Sequence, residues 1–264
     1  MTLDLVMPAD VNGRPPAEPV PVVLWLHGGA WAFGSPRELP PPLRAADPLE
    51  HVLDAGWAVA AAEYRLSGEA SFPAQLDDAK AAVRWLRHFA PRLGLDADRI
   101  AVWGESAGGH LASLLALTPG TTGSDEVQAA VVWYGPSDLT ALQGQAHPEA
   151  TLDHDAADSP ESRLIGGPLS EHPGRAAAAS PITYARQAPA QLPPMLLMHG
   201  TDDRFVPYQQ SVGLAEALAQ RGAPVELRLV DGADHLFRGA DLPGLVDASI
   251  GFLSRALSPE GAFS

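Results

Sequence analysis

The sequence contains no cysteine, and only one of its 17 basic residues is a lysine, Lys80. The absence of cysteine excludes disulfide scaffolds, thiolate nucleophiles and cysteine-ligated zinc sites. The basic residues are outnumbered by 32 acidic ones, which gives a net charge of −15. A chain of this charge has no basic patch to offer nucleic acid or anionic lipid, so we expect neither as a partner.

Long apolar runs are also missing. No stretch approaches the roughly 18 apolar residues that are needed to cross a bilayer. Residues 1–8 lack the basic start and the continuous apolar core of a signal peptide. Neither a GxGxxG pattern nor a phosphate-binding loop occurs. We therefore expect a soluble, cytoplasmic protein with no membrane partner and no nucleotide cofactor.

The 264 residues are 46% hydrophobic, and short apolar runs alternate with segments of helical period. The apolar runs predict strands at 20–26, 57–64, 99–104, 127–134, 195–198 and 225–230. Apolar residues that recur every three or four positions predict helices at 73–93, 106–117, 207–220 and 245–257. Strands that are apolar on both faces and alternate with helices predict an α/β protein with a mostly parallel central sheet flanked by helices.

Residues 143–194 interrupt this alternation, and they are too many for a bare loop. Ser159-Pro160-Glu161 is typical of a helix start, and Gly166-Gly167 is typical of a helix end. We predict a single domain over residues 1–264, with 143–194 as a small helical, cap-like insertion. The carboxylates and histidine at 153–161 are metal-ligand types. Solvated acid at a helix start explains them equally well, and no metal is expected.

The motif Gly104-Glu105-Ser106-Ala107-Gly108 lies between a predicted strand and a predicted helix. In that context a GxSxG sequence places its serine on a strained strand-to-helix turn. Side chains two residues before and after the serine would collide, which explains the two glycines. The free N–H groups of the following helix face any negative charge that forms there. Ser106 is therefore the predicted nucleophile.

A second glycine-rich motif, HGGAW at 27–31, follows the strand predicted at 20–26. Acyl transfer places negative charge on the carbonyl oxygen, and backbone N–H groups fixed near that oxygen stabilise the transition state. Three residues are the predicted donors of this oxyanion hole: Gly28, Gly29 and Ala107. Trp31 and Phe33 are predicted to line the acyl pocket.

A serine hydroxyl needs a base to remove its proton, and the chain offers nine histidines. Only His235 follows the last predicted strand, and parallel α/β sheets place their chemistry in loops at the carboxyl ends of strands. The acid that orients the base is expected after the preceding strand, where Asp202 and Asp203 are neighbours. Spacing alone does not separate these two aspartates.

Together these pieces resemble the α/β-hydrolase superfamily, and within it the small serine esterases of the BD-feruloyl-esterase and hormone-sensitive-lipase groups. Besides the two glycine-rich motifs, the matching pieces span nearly the whole chain: Glu63-Tyr64-Arg65-Leu66, Phe72-Pro73-Ala74, residues 82–87, Ser180-Pro181, residues 199–207 and residues 232–235. The resemblance implies the α/β-hydrolase fold, with Ser106 as nucleophile and His235 as base. The family pattern HGxxDxxVP at 199–207 implies Asp203 as the acid.

The chain departs from this resemblance in two ways. Ala30 stands where hormone-sensitive-lipase-like enzymes have a third glycine, and the result is similar to the HGGxW form of feruloyl-esterase-like and arylformamidase-like relatives. The Ala30 N–H can still donate a hydrogen bond to an oxyanion. The chain also begins close to a strand predicted at 3–7, without the N-terminal cap helices of many relatives. We therefore expect the roof of the site to come from residues 34–48 and 143–194.

The sequence predicts a serine carboxylesterase that hydrolyses short-chain or small aryl and acyl esters through an acyl-enzyme on Ser106. The alternative is an amidase, an arylformamidase or a peptidase that uses the same three residues. A remote alternative is a hydrolase fold that binds without catalysis. The expected partner is a small-molecule ester, a homodimer is permitted, and no cofactor is expected.

Overall fold

The computed structural model describes residues 2–9, 13–14, 16–187 and 191–258. Within these residues the apolar runs form one sheet of seven strands: β1 (Leu3–Val6), β2 (Val20–Leu26), β3 (Ala58–Ala62), β4 (Leu95–Glu105), β5 (Ala129–Trp133), β6 (Met195–Gly200) and β7 (Val225–Val230). The same part of the chain forms nine α-helices: α1 (Pro41–Ala46), α2 (Pro48–Asp54), α3 (Ala74–Leu93), α4 (Ala107–Leu117), α5 (Pro160–Ile165), α6 (Pro173–Ala178), α7 (Pro181–Ala185), α8 (Gln209–Gln220) and α9 (Leu242–Ala256).

The strand order across the sheet is β1-β3-β2-β4-β5-β6-β7. Only the β1–β3 pair is antiparallel among the described strands. This confirms the predicted α/β class with a mostly parallel sheet. Because β2, β4, β6 and β7 run in one direction, their carboxyl ends meet at one edge of the sheet. The loops that carry Gly29, Ser106, Asp203 and His235 all begin at that edge.

Side chains alternate between the two faces of the sheet, and each face has its own hydrophobic cluster. On one face, Leu24 and Leu26 of β2 pack with the apolar side chains of α3 and α4. On the other face, Trp25, Trp103 and Trp133 form edge-to-face pairs and pack with α9. Helices on both faces explain why the central strands are apolar throughout.

The predicted elements differ from the structure mainly at their ends and at the outer strand. The expectation that every strand is apolar on both faces is wrong for β7, because this edge strand exposes residues 226–229. Residues 41–46, expected within a loop, form α1. Pro41 suits the first turn of this helix, where no N–H is needed. No helix in the described ranges is both long and apolar enough to span a membrane.

The segment that interrupts the alternation contains α5, α6 and α7. Its predicted helix start is confirmed: the Ser159 hydroxyl accepts the N–H of Ser162 at 3.0 Å, and Gly166 ends α5 with a φ of 81°. Residues 188–190 of this segment lie outside the described residues, as do residues 1, 10–12, 15 and 259–264 of the predicted domain. A single domain with 143–194 as its cap-like insertion therefore stays a prediction.

Candidate active site

Ser106 lies in the turn between β4 and α4, with a left-handed φ of 52° and a ψ of −119°. Its backbone N–H donates to the carbonyl oxygen of Trp133 at 2.9 Å. A Cβ on Gly104 would lie 2.2 Å from the Gly108 carbonyl oxygen, and a Cβ on Gly108 would lie 1.9 Å from that of Leu26. Only glycine fits at these two positions, as the sequence motif predicts.

His235 follows β7 and reaches Ser106. Its Nε2 lies 3.2 Å from Ser106 Oγ, and its Nδ1 lies 2.8 Å from Asp203 Oδ2. An ionised carboxylate can only accept, so Nδ1 carries the proton and Nε2 is left to accept from the serine hydroxyl. The imidazole is 12% exposed and the Asp203 carboxylate is fully buried. The structure thus brings the three predicted residues into one hydrogen-bonded line.

Several donors surround the Asp203 carboxylate. Oδ1 accepts the N–H groups of Phe205 at 2.9 Å and Val206 at 2.8 Å, and Oδ2 lies 3.3 Å from His199 Nε2. Burial alone raises the pKa of Asp203, but the charge and hydrogen bonds of His235 and His199 hold it well below its usual range. Asp203 is therefore an acceptor at neutral pH, which fixes the tautomer of His235.

Asp202 has different partners from its neighbour. Its carboxylate contacts Arg204 at 3.3 Å and His147 at 3.2 Å, and it is 40% exposed. The structure therefore places Asp203, the aspartate implied by the family pattern, on His235.

The loop after β2 presents N–H groups near Ser106. In the described parts of the chain, the N–H groups of Gly29, Ala30 and Ala107 donate to no protein oxygen. The Gly28 N–H differs from the prediction, because it donates to Glu105 Oε1 at 2.7 Å and is not free for an oxyanion. Ala30 has a left-handed φ of 53°, the conformation that glycine adopts at the lowest cost. Of the three predicted donors, Gly29 and Ala107 remain available.

The side chain of His110, in α4, holds the loop after β2 through a hydrogen bond. Trp31 Nε1–H donates to His110 Nδ1 at 3.2 Å, and His110 Nε2–H donates to the Ala179 carbonyl oxygen at 2.6 Å. Burial lowers the pKa of His110 to about 4. The neutral imidazole satisfies both partners, whereas a second proton on Nδ1 would face the indole N–H.

Ser106 opens into a cavity of about 560 Å³. Both predicted pocket residues line it, but Trp31 is 2% exposed and braces the loop, whereas Phe33 is 64% exposed. Residues of both predicted roof segments also line the cavity: Leu39, Pro40, Pro41 and Arg44 from 34–48, and Leu152, Pro160 and Glu161 from 143–194.

The acidic residues at the start of α5 are arranged differently from the sequence interpretation. His154 Nδ1 and Glu161 Oε1 lie 3.0 Å apart, and both residues are buried. The interpretation of Glu161 as solvated acid is therefore wrong. No three histidine or carboxylate side chains come close enough to hold a metal ion in the part of the chain that the structure describes.

Three residues at the site were not identified from the sequence. Glu105 is buried beside the nucleophile, the ring of Tyr134 packs on His235 with centroids 4.8 Å apart, and Phe205 lines the cavity. A charge at the end of an apolar strand was a usable signal for Glu105. Tyr134 and Phe205 gave no signal, because aromatic residues beside strands are common in cores.

The parallel sheet, the serine on its strand-to-helix turn and the chain order Ser106, Asp203, His235 define the α/β-hydrolase class. Comparison with solved structures supports this class. A truncated carbohydrate esterase from gut microbiota is 27% identical with a TM-score of 0.81, and the match covers 97% of this chain and 90% of that one. A thermophilic esterase of the Planctomycetes species Thermogutta terrifontis is 29% identical with a TM-score of 0.74, over 98% and 89% of the two chains.

The BD-FAE family model matches residues 3–218, and the chain belongs to this family. "Probable carboxylic ester hydrolase LipM" of Mycobacterium tuberculosis is 36% identical over 210 residues, which are 76% of this chain and 45% of that protein. "Esterase LipQ" of the same organism is 33% identical over 241 residues, 86% and 53% of the two. The chain spans about half the length of these curated relatives. The fold and family inferred from the sequence are confirmed.

Proposed function

We propose that the chain is a serine carboxylesterase that hydrolyses short-chain or small aryl and acyl esters through an acyl-enzyme on Ser106. One observation carries this proposal. A hydrogen-bonded line runs from Ser106 Oγ through His235 to Asp203, beside the N–H groups of Gly29 and Ala107, which donate to no oxygen of the described residues. A nucleophile, a base, an orienting carboxylate and oxyanion donors are the groups that ester hydrolysis requires.

In this scheme Ser106 Oγ attacks the ester carbonyl while its proton passes to His235 Nε2, and Asp203 stabilises the imidazolium that results. The carbonyl oxygen becomes an oxyanion bound by the N–H groups of Gly29 and Ala107, with Ala30 as a further donor. Each such donor is worth roughly 3–4 kcal/mol. His235 then gives its proton to the leaving alcohol, and a water molecule repeats the sequence to release the acid.

The cavity supports small substrates. Its volume of about 560 Å³ lies within the usual range for small-ligand sites. The rings of Phe33 and Phe205 line it and suit an acyl chain or an aryl group. Structures of the Thermogutta terrifontis esterase, 30% and 29% identical to this chain, are described with propionate and with butyrate bound. Short acyl groups are therefore the first candidates for this chain.

The test is hydrolysis of p-nitrophenyl esters with two to twelve acyl carbons by the wild type and by Ser106→Ala. We expect a rate that peaks at short chains and falls by about 10³-fold or more in the variant, because the nucleophile is lost. Ser113→Ala, which removes a buried hydroxyl of α4, should leave the rate unchanged. EDTA should not inhibit, because no step of this scheme uses a metal ion.

Equal rates in the wild type and Ser106→Ala would contradict the proposal, as would inhibition by EDTA. A folded wild type that hydrolyses no ester would direct the test to amides and formamides, the substrates of the alternative with the same three residues. Binding of esters without turnover of any substrate would support the non-catalytic alternative.

A further inference from the structure

We propose that Glu105, the residue before the nucleophile, is a positioning residue that holds the oxyanion loop in register with Ser106. The inference rests on the proposed function, because it assigns a role within the same site. Glu105 touches no reacting atom in this scheme. It acts through the backbone of the loop at residues 27–31.

The contact that carries the inference joins two distant parts of the chain. Glu105 is the last residue of β4, and its Oε1 accepts the N–H of Gly28 at 2.7 Å. A Cβ on Gly28 would lie 2.2 Å from the same oxygen, so the carboxyl group fills the space under the loop. Glu105 adjoins Ser106 and Gly28 adjoins Gly29. The bond therefore sets the distance between the nucleophile and an oxyanion donor.

The burial of Glu105 argues against a purely stabilising role. The residue is 3% exposed, and its Oε2 has no hydrogen-bond partner among the described residues. A buried carboxyl group without a cationic partner costs folding energy that an apolar residue at this strand end would avoid. The carboxyl group accepts a backbone N–H of the oxyanion loop, at Gly28. A buried acidic group that costs folding energy and holds this loop is best explained by what its bond positions.

Glu105 also borders the base. Burial raises the pKa of Glu105, whereas His235, the Gly28 N–H and the Tyr134 hydroxyl favour its charged form. The ring of Tyr134 in turn packs against the imidazole of His235. The carboxyl group, the tyrosine and the base thus form one contiguous group under the nucleophile. Displacement of the carboxyl group affects the loop, whereas Leu152 and Phe205, which also line the cavity, belong to other segments of the chain.

Loss of the Glu105 carboxyl oxygen leaves the Gly28 N–H buried and unpaired. The oxyanion loop then shifts to recover a partner for this N–H. A shift of about 1 Å at a catalytic group can lower the rate about 100-fold. Substrate binding in the ground state depends on the cavity walls instead. The expected signature is therefore a lower kcat with an unchanged KM.

The experiment compares Glu105→Met with Glu105→Gln, which have similar length and differ in whether they can accept the Gly28 N–H. For p-nitrophenyl butyrate we expect Glu105→Met to lower kcat by roughly 10- to 100-fold with KM within about twofold. Glu105→Gln should stay within about fivefold of the wild type, because its amide oxygen replaces Oε1 and its NH₂ faces the Tyr134 hydroxyl. Glu105→Ala repeats the test if the methionine variant does not fold.

Two further measurements separate positioning from stability. An alkyl trifluoromethyl ketone forms an adduct with serine whose oxyanion lies in the hole. Its inhibition constant should rise in Glu105→Met by the same factor as kcat falls.

Hydrogen exchange at the Gly28 amide should quicken in Glu105→Met and stay slow in Glu105→Gln. Asp125 is the control, a buried carboxylate that accepts the Gly120 N–H at 2.6 Å and also pairs with Arg84 at 3.3 Å. Asp125→Ala and Asp125→Asn should change neither kcat nor the inhibition constant.

A wild-type kcat in Glu105→Met would overturn the inference, and so would a kcat in Glu105→Gln as low as that of the methionine variant. An equal loss in Asp125→Ala would reduce the role to stability and also overturn it. A wild type without serine-dependent turnover would contradict the proposed function instead. In that case the exchange rate of the Gly28 amide still decides whether Glu105 anchors the loop.

Discussion

The loops at the carboxyl ends of the strands and the roof above them, residues 34–48 and 143–187, are packed very differently. At the strand-to-helix turn around Ser106 the backbone leaves no room, since a Cβ on Gly108 would meet the Leu26 carbonyl oxygen at 1.9 Å. In the roof the helices α5 to α7 have only five or six residues, and a Cβ on Gly174 meets nothing within 4 Å. Backbone contacts fix the reacting groups, and replaceable side chains shape the cavity. Changes in the loops should therefore affect kcat or folding, and changes in the roof should affect KM.

The largest effect is expected from Asp203→Asn. The amide oxygen would take the place of Oδ1, which accepts two backbone N–H groups, and the NH₂ would then face His235 Nδ1. A donor at that place forces the wrong imidazole tautomer, so Nε2 carries the proton and cannot accept from Ser106. We expect kcat for p-nitrophenyl butyrate to fall by about 10⁴-fold with the fold intact.

Asp202→Asn is the matched control, since the Asp202 carboxylate contacts Arg204 and His147 and is 40% exposed. It should keep the wild-type kcat. An equal loss in both variants, or a loss in neither, would show that the strand-end loops do not position the base as proposed.

One added methyl group in each region tests whether the strand-end loops and the roof differ in packing. Gly108→Ala pushes a Cβ into the backbone of β2, and we expect it to destabilise the protein by about 3 kcal/mol in urea unfolding. Gly174→Ala lies in α6 with open space around it and should stabilise by about 0.5 kcal/mol, because alanine restricts the unfolded chain. Similar effects of the two substitutions would remove the distinction between the regions.

A smaller, pH-dependent effect is expected where the two regions meet. His110 joins the oxyanion loop at Trp31 to the roof at Ala179, and burial lowers its pKa to about 4. The unfolded chain, with an ordinary imidazole pKa of about 6.5, binds the proton first, so stability falls as the pH falls from about 6.5 towards 4.

In urea unfolding between pH 7 and pH 4.5, the wild type should lose about 2–3 kcal/mol more than His110→Gln. Ser113→Ala removes a buried group of the same helix that does not titrate, so it should keep the wild-type dependence on pH. An identical dependence in the wild type and His110→Gln would mean that His110 is not buried in its neutral form.

The same contrast explains what could be predicted from the sequence. The strands, α3, α4 and the turn at Ser106 depend on local patterns, namely apolar runs and glycines at fixed spacing, and they were predicted within a few residues. The bond from Gly28 to Glu105 joins residues 77 positions apart, so no local pattern indicates that these two residues pair. The burial of Glu161 against His154 depends in the same way on how α5 packs.

The smallest effect is expected in the roof. Leu152 lines the cavity without contributing to the sheet or its main clusters, so Leu152→Ala should leave the free energy of unfolding nearly unchanged. Loss of its apolar surface should weaken substrate binding by about 1 kcal/mol, which raises the KM for p-nitrophenyl butyrate roughly fivefold at constant kcat. The exposed neighbour Thr151 is the control, and Thr151→Ala should match the wild type. A lower kcat in Leu152→Ala would mean that the roof also positions the reacting groups. The proposed division of roles between the strand-end loops and the roof would then be wrong.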